Sequence, residues 1–395
     1  MASSPVSQRT AAFMKVTSPV LEFLTGSEWA SRNGDPAISD FVVGNPHELP
    51  LPSYVTALEK ALPPHNPEWF AYKLSEPESQ RVVARSLKSW RGVDFEPQDI
   101  CMTNGGFAAI TVALSTVTDP GDEVIFISPP WFFYEGIIAG LGGVPVRVRI
   151  DPATFDLDLN AIEAAITPKT RAIIVNSPNN PTGKIYPAET LRALGELLTA
   201  ASELIGRTIY LLSDEAYSRI IYDGRDFPSP TSYYENSFLL YTYGKTLLTP
   251  GQRIGYIALP PAMPEREVIR SAVMTAQMFT GFAFPNALLQ HALPELETLS
   301  IDIEHLQHKR DKLVGILRGA GYDVHSPDGT FYLLPKSPLA DDNAFLRLLA
   351  RHDIYCLPGA IVELPGYFRI SLTATEDMID RAASGFAAAF REARQ

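Results

Sequence analysis

Three polar residues stand where apolar runs of the chain stop, and their types suit a single chemistry. Lys245 lies in the stretch YTYGKTLLTPGQRIGY, after the run SFLL and before a Pro-Gly turn and Arg253. A lysine normally keeps its ammonium in water. Lys245 therefore reads either as a surface lysine at a strand end or as a Schiff-base former, its ammonium pKa lowered by desolvation and a nearby cation. Asp214 ends the run IYLLSD. Its carboxylate either caps the next helix or meets a cation such as a protonated pyridine nitrogen. Tyr217, three residues on, could reach the phenolic oxygen of the same ring. Lysine, aspartate and tyrosine together describe one cofactor.

A phosphate on that cofactor would need an anion cradle. The stretch CMTNGGFAAITVALSTV reads as a turn at Gly105 and Gly106 opening a helix, with free backbone N–H groups and the positive end of the helix dipole. Taken alone, such a Gly-Gly start is also an ordinary tight turn. Thr242 adds a hydroxyl and Arg253 a planar fork. Trp131, in SPPWFFYEG, is expected to begin the next helix after a strand, either packed in the core or with its indole face on a flat ring.

These residues need a frame. Between residues 100 and 260 short runs such as DEVIFISPP, VPVRVRI, RAIIVNSP, TIYLLSDEAY, SFLLYTYGK and RIGYIALP read as strands bounded by Pro, Gly, Asp or Asn. Helical patterns separate several of them, as in PAETLRALGELLTAASELIG, where Leu191, Leu194, Leu197 and Leu198 share a face and Gly206 ends the pattern. Strand and helix in alternation imply an α/β fold with a mainly parallel sheet covered on both faces. Ligands of such sheets sit beyond the carboxyl ends of the strands, where these polar residues gather. After about residue 285 one long helical stretch, NALLQHALPELETLSIDIEHLQHKRDKLVGILRGAG, and then short strands and further helices suggest a smaller α+β domain.

Composition excludes other classes. The 395 residues carry a formal net charge of -12, which disfavours nucleic acid and anionic membranes as partners. Small molecules are the expected ligands. Cys101 and Cys356 are far apart and belong to no Cys/His cluster, so no metal site and no disulfide framework is expected. A reducing, cytoplasmic compartment is the natural reading. The start, MASSPVSQRTAAFMKVTSPV, lacks a signal-peptide core; it is Ser-rich, with Arg9 and Lys15 and no acid before Glu22. That composition suits an arm that is flexible or clasps a partner, and is shared by organelle transit segments. No stretch is long and apolar enough to span a bilayer.

The motifs NNPTG, LSDEAY and GKTLLTPGQRIGY, in this order and spacing, resemble the pyridoxal-phosphate-dependent class I/II aminotransferases, the fold type I group. The resemblance runs from FVVGNP near the start to YFRISL near the end, and it implies pyridoxal 5'-phosphate as cofactor. It implies that Lys245 is the Schiff-base lysine, that Asp214 meets the ring nitrogen, and that Tyr217 and Asn180 meet the phenolic oxygen. Gly105, Gly106 and Phe107 would offer amides to the phosphate, joined by Thr242 and Arg253. Trp131 would stack on the ring, Arg369 would grip the substrate α-carboxylate, and Gly44 would lie near the substrate. Tyr72 resembles a tyrosine that reaches the cofactor phosphate of a neighbouring subunit, which implies a homodimer with shared active sites. The implied division is an N-terminal arm with part of a small domain over 1–44, a large cofactor-binding domain over 45–285 and a C-terminal small domain over 286–395. The implied reaction moves an amino group from an L-amino acid to a 2-oxo acid by a ping-pong scheme. A lyase or an aminocyclopropane-carboxylate-synthase-like enzyme would need the same residues. The chain departs from the family in four places, and in one of them Thr242 stands where serine is usual and keeps the hydroxyl. Around Tyr72 a usual glycine is missing. Gly244 stands where a serine is usual before the lysine. Phe107 occupies a position that carries lysine in some aspartate-specific relatives, which favours an aromatic or other apolar substrate.

Overall fold

The computed structural model describes residues 5–395; the first four residues of the Ser-rich start lie outside the described residues. Seven strands form one sheet. From edge to edge they are Ile100–Thr103, Gly255–Ala258, Ser237–Thr242, Tyr210–Asp214, Thr170–Asn176, Glu123–Ser128 and Val144–Arg149. Only Gly255–Ala258 is antiparallel to its neighbours, so six strands point the same way. The strand Ile100–Thr103 adds an edge that the sequence pattern does not predict. Its residues contain no β-branched run, and it is held by pairing with Gly255–Ala258.

Helices cover both faces, as the near-continuous burial of the central strands requires. Leu191, Leu194 and Leu198 of helix Ala188–Ile205 pack against Ile173, Val175 and Leu211 of the sheet. Gly206 ends that helix at φ 66°. On the opposite face helix Gly106–Val117 buries Ala109, Ile110, Ala113 and Leu114 against Phe126, Ile174 and Leu240. Helix Gln8–Gly26 comes from the segment expected to be an arm. It lays Phe13 and Thr17 on the Gly136–Gly140 face of helix Tyr134–Gly140.

Smaller sheets lie beside this layer. Strand Phe368–Ser371 runs between Leu357–Pro358 and Tyr332–Leu333, antiparallel to both, and Ser39–Asp40 pairs in parallel with Ile354–Tyr355. Their core joins Phe331, Phe345, Phe368 and Phe386 to Phe41 and Tyr217. The stretch expected to be one long helix after residue 285 is two, Ala287–Leu296 and Ile303–Ala320. The break has a local cause, since the Asp302 carboxylate accepts the His305 amide at 2.9 Å and starts a new helix. Trp131 precedes the helix it is expected to begin, which starts three residues later at Tyr134.

The reversed strand places the Lys245 strand end against the Gly105 turn, because Gly255 pairs with both Thr242 and Thr103. A Cβ on Gly255 would run into the Tyr241 carbonyl oxygen and come within 3.1 Å of Gly105 Cα. Gly255→Ala is therefore expected to lower stability by about 1–3 kcal/mol through overpacking, read as a lower midpoint of thermal unfolding. An unchanged midpoint would show that the strands have room to part.

Candidate active site

Strand direction brings the polar residues together. Thr103, Ser128, Asn176, Asp214 and Thr242 are the last residues of five strands that point the same way. The loops leaving these strands therefore gather beyond one edge of the sheet. Arg253 joins them from the loop entering the reversed strand. A cavity of about 340 Å³ opens there. Lys245, Asp214, Tyr217, Asn180, Thr242 and Arg253 line it. So do Gly106, Phe107 and Trp131 from the loops after two further strands, and Gly44 and Arg369 from the smaller sheets' side. Of the residues expected from sequence, Gly105 and Tyr72 are not in the wall. Gly105 lies directly behind it at φ 81°, where a Cβ would stand only 2.7 Å from Arg253 Nη2. Tyr72 is 85% exposed and touches Phe284, ring to ring at 4.6 Å, away from this chain's cavity.

The charges in the cavity are unusual because they lack countercharges. Asp214 is buried, and its carboxylate accepts from the Tyr134 hydroxyl and, at 3.2 Å, from the Ala216 amide. Burial pushes its pKa up, against those two donors and the positive Lys245. No helix directly follows Asp214, so the helix-cap reading is not met: one oxygen holds the turn at Ala216 and the other accepts from Tyr134. Lys245 Nζ lies 5.5 Å from the ring centres of both Tyr217 and Phe331. Arg369 is buried; Nη1 donates to Asn180 Oδ1 and Nη2 to the Val42 carbonyl, each at 3.1 Å, and its Nε has no partner. Its guanidinium stacks 4.1 Å above the Tyr332 ring. Among the described residues neither Asp214, Lys245, Arg253 nor Arg369 joins an ion pair, whereas the buried Glu215 and the half-buried Glu297 nearby hold Arg91 and Arg219.

Several residues of the site have little or no mark in the sequence. Tyr134 sits in the aromatic run WFFY, where nothing local identifies it as the partner of Asp214. Asn176 ends its strand, so the rule that sites gather at strand ends could have found it. Its Oδ1 accepts the Asn180 amide at 2.7 Å and its Nδ2 donates to the Asp214 carbonyl at 2.9 Å. Tyr332 reaches Arg369 through the pairing of Tyr332–Leu333 with Phe368–Ser371, a long-range register without a local signal. The Tyr332 ring also stands edge-on to Tyr217 at 6.0 Å. Burial and that neighbouring phenol raise Tyr217, whereas at Tyr332 burial is overcome by Arg369 and Lys245, which hold it low. Apolar wall is supplied by Leu24, Phe132 and Phe133. Phe107 meets Trp131 edge to face at 5.4 Å and Phe133 at 5.6 Å.

This constellation suits a cofactor with an anionic tail and a cationic ring, together with a carboxylate substrate, since each unpaired charge then gains an opposite one. Comparisons with known proteins agree. The family model described as aminotransferase class I and II matches residues 40–386. A probable aspartate/prephenate aminotransferase of Thermus aquaticus is 33% identical over 327 residues, covering 80% of this chain and 82% of the relative. In structure, an aminotransferase from Eubacterium rectale superposes with a TM-score of 0.88 at 29% identity, over 99% of this chain and 97% of its own. The aspartate aminotransferase of Thermotoga maritima gives 0.81 at 25% identity, over 97% and 99%. The chain belongs to the class I and II aminotransferase family and is a pyridoxal-phosphate-dependent enzyme of amino-group transfer.

Proposed function

We infer that the cavity moves the amino group of an aromatic or other apolar L-amino acid to a 2-oxo acid. The observation that carries this reading is a charge count. The cationic side chains lining the cavity are Lys245, Arg253 and Arg369. Arg369 suits the substrate α-carboxylate, Arg253 the cofactor phosphate, and Lys245 the Schiff base. No fourth cation among the described lining residues is left for a second substrate carboxylate. The remaining wall beside Trp131 is aromatic, made of Phe107, Phe132 and Phe133.

When bound, pyridoxal phosphate supplies an electron sink for the pair left when the substrate Cα–H bond breaks. Asp214 keeps the proton on the ring nitrogen. Tyr217 and the Asn180 side chain would hold the ring's phenolic oxygen, and Trp131 would pack on the ring. Arg253, the Thr242 hydroxyl and the amides of Gly105, Gly106 and Phe107 hold the phosphate at a helix N-terminus. Gly44 closes the substrate side beside Tyr332. Lys245 Nζ would take the proton from the substrate Cα and hold it as an ammonium. The first 2-oxo acid leaves before the second enters, so kinetics are ping-pong. The active unit in this reading is a homodimer in which Tyr72 serves the phosphate of a second copy. Its exposure, with Leu49, Phe70 and Phe279 also exposed, supports that role. The chain divides into an arm and part of a small domain over 1–44, a large domain over 45–285 and a small domain over 286–395. No described helix is long and apolar enough to cross a membrane, and the reading places the enzyme in the cytoplasm.

Two measurements test this. A donor panel without oxo acid, followed by bleaching of the cofactor's visible band and by 2-oxo acid release, is expected to favour phenylalanine over aspartate by roughly tenfold or more in kcat/KM. Phe107→Lys should shift the ratio towards aspartate by about 10–100-fold. Comparable wild-type turnover of the two donors would overturn the substrate assignment while leaving the reaction intact. The second concerns Asp214 in cofactor-free protein. Its folded carboxyl holds a proton more tightly than in the unfolded chain, so stability is fully present below the unfolded value, about 4, and falls as pH rises through the raised folded value. Asp214→Asn should flatten this loss as pH rises above about 4, and bound cofactor should remove it. Equal slopes in both proteins would show that Asp214 is compensated without the cofactor.

A further inference from the structure

We propose that Tyr134 is a positioning residue that decides where the proton shared by Asp214 and the cofactor's ring nitrogen resides. The proposal rests on the reading of Asp214 given above. Tyr134 is buried, and its hydroxyl donates to Asp214 Oδ2. Among the described residues the phenol has no other hydrogen-bond partner, so its proton has no competing acceptor. Tyr134 is also held from two sides. It is the first residue of helix Tyr134–Gly140, and its amide donates to the Trp131 carbonyl at 3.1 Å. The Trp131 ring stands edge-on to it at 5.4 Å and 81°. Reorientation of the phenol would therefore disturb the residue that covers the ring.

The consequence is one of proton affinity. A carboxylate oxygen that already accepts a hydrogen bond is a weaker base than a bare one, and in a buried site the difference is large. With Tyr134 in place, the proton between Asp214 and the ring nitrogen stays on nitrogen. Without it, the carboxylate draws that proton to itself and the ring loses its positive charge. Other charged or titratable groups around the pair are few. Lys245 and Glu215 face the carboxylate, and Tyr217 and Tyr186 face the phenol. Glu215 is already matched by Arg91 and the hydroxyls of Ser213 and Ser229. Lys245 joins the Schiff base in the loaded enzyme, which leaves the Ala216 amide on Oδ1 and Tyr134 on Oδ2 as the donors that persist, and of these only Tyr134 is a side chain.

The test uses holoenzyme reconstituted with ring-¹⁵N-labelled cofactor. In wild type the ring nitrogen resonance is expected at the protonated position, and in Asp214→Asn at the unprotonated one. Tyr134→Phe should move it measurably towards the unprotonated position, and in cofactor-free protein should raise the Asp214 carboxyl titration, followed by its infrared band, by about one to two pH units. Replacing Tyr134 by 3,5-difluorotyrosine, a stronger donor of the same shape, should lower that titration, which separates proton control from loss of packing. If Asp214→Asn shifts the nitrogen but neither Tyr134 variant moves nitrogen or carboxyl, the proposal is overturned. If Asp214→Asn itself leaves the nitrogen unchanged, the reading of Asp214 fails instead, and Tyr134 cannot have the role proposed.

Discussion

Two buried charges without countercharges, on Asp214 and Arg369, are the feature on which the rest of this structure depends. A buried carboxylate or guanidinium costs several kcal/mol unless something opposite meets it. The protein meets that cost in the usual way close by: Glu215 pairs with Arg91, and Glu297 with Arg219 and the Tyr243 hydroxyl. Asp214 adjoins Glu215, and Lys245 lies two residues after Tyr243, yet neither joins an ion pair among the described residues. Arg369 is satisfied only by carbonyl-type oxygens and an aromatic face. The uncompensated charges are therefore those pointed at the cavity, and the compensated ones form the frame behind them.

That frame is stiff where it needs to be. Glu215 shares a backbone segment with Asp214, and its pair with Arg91 ties the end of that strand to the last turn of helix Pro77–Arg91. Tyr243 shares a segment with Lys245, and its bond to Glu297 ties that strand end to the turn after helix Ala287–Leu296. Arg219 links both arrangements, lying 4.8 Å from the Tyr241 ring and 5.3 Å from that of Trp90. A paired network of this kind resists displacement because moving one member leaves another buried and unmatched. The carboxylate and lysine at the cavity thus keep fixed positions without needing a ligand to set them.

Much of this is legible in the chain. Short apolar runs alternating with helical patterns imply the parallel sheet, and the ends of those runs, as at Asp214 and Thr242, mark the place of the site. Lys245, Asp214, Tyr217, Asn180, Arg253 and Arg369 reach one cavity, and their roles there belong to the proposed chemistry. The illegible part depends on contacts between segments far apart in sequence. Ile100–Thr103 is a strand because Gly255–Ala258 pairs with it. Tyr332 reaches Arg369 by cross-strand register, and Tyr134 reaches Asp214 by packing across 80 residues of chain. The helix Gln8–Gly26 is obscure for another reason: its sequence has little apolar periodicity, and only Val20 in it is fully buried.

The same division separates chemistry from specificity. In the proposed chemistry proton handling rests on strand-end residues whose positions the sheet dictates, so any enzyme built on this sheet must keep their geometry. In the proposed reading substrate choice rests on the wall opposite, where Phe107 stands at the N-terminus of helix Gly106–Val117, 37% exposed, and meets Trp131 and Phe133 only through its ring. A side chain there can change without disturbing the amides before it, because in the proposed reading the backbone, not the side chain, would meet the phosphate. A family can therefore hold one reaction constant and vary its donors. In this chain that position is aromatic, and the polarity of the wall falls accordingly on the side where a distal carboxylate would otherwise have to be met.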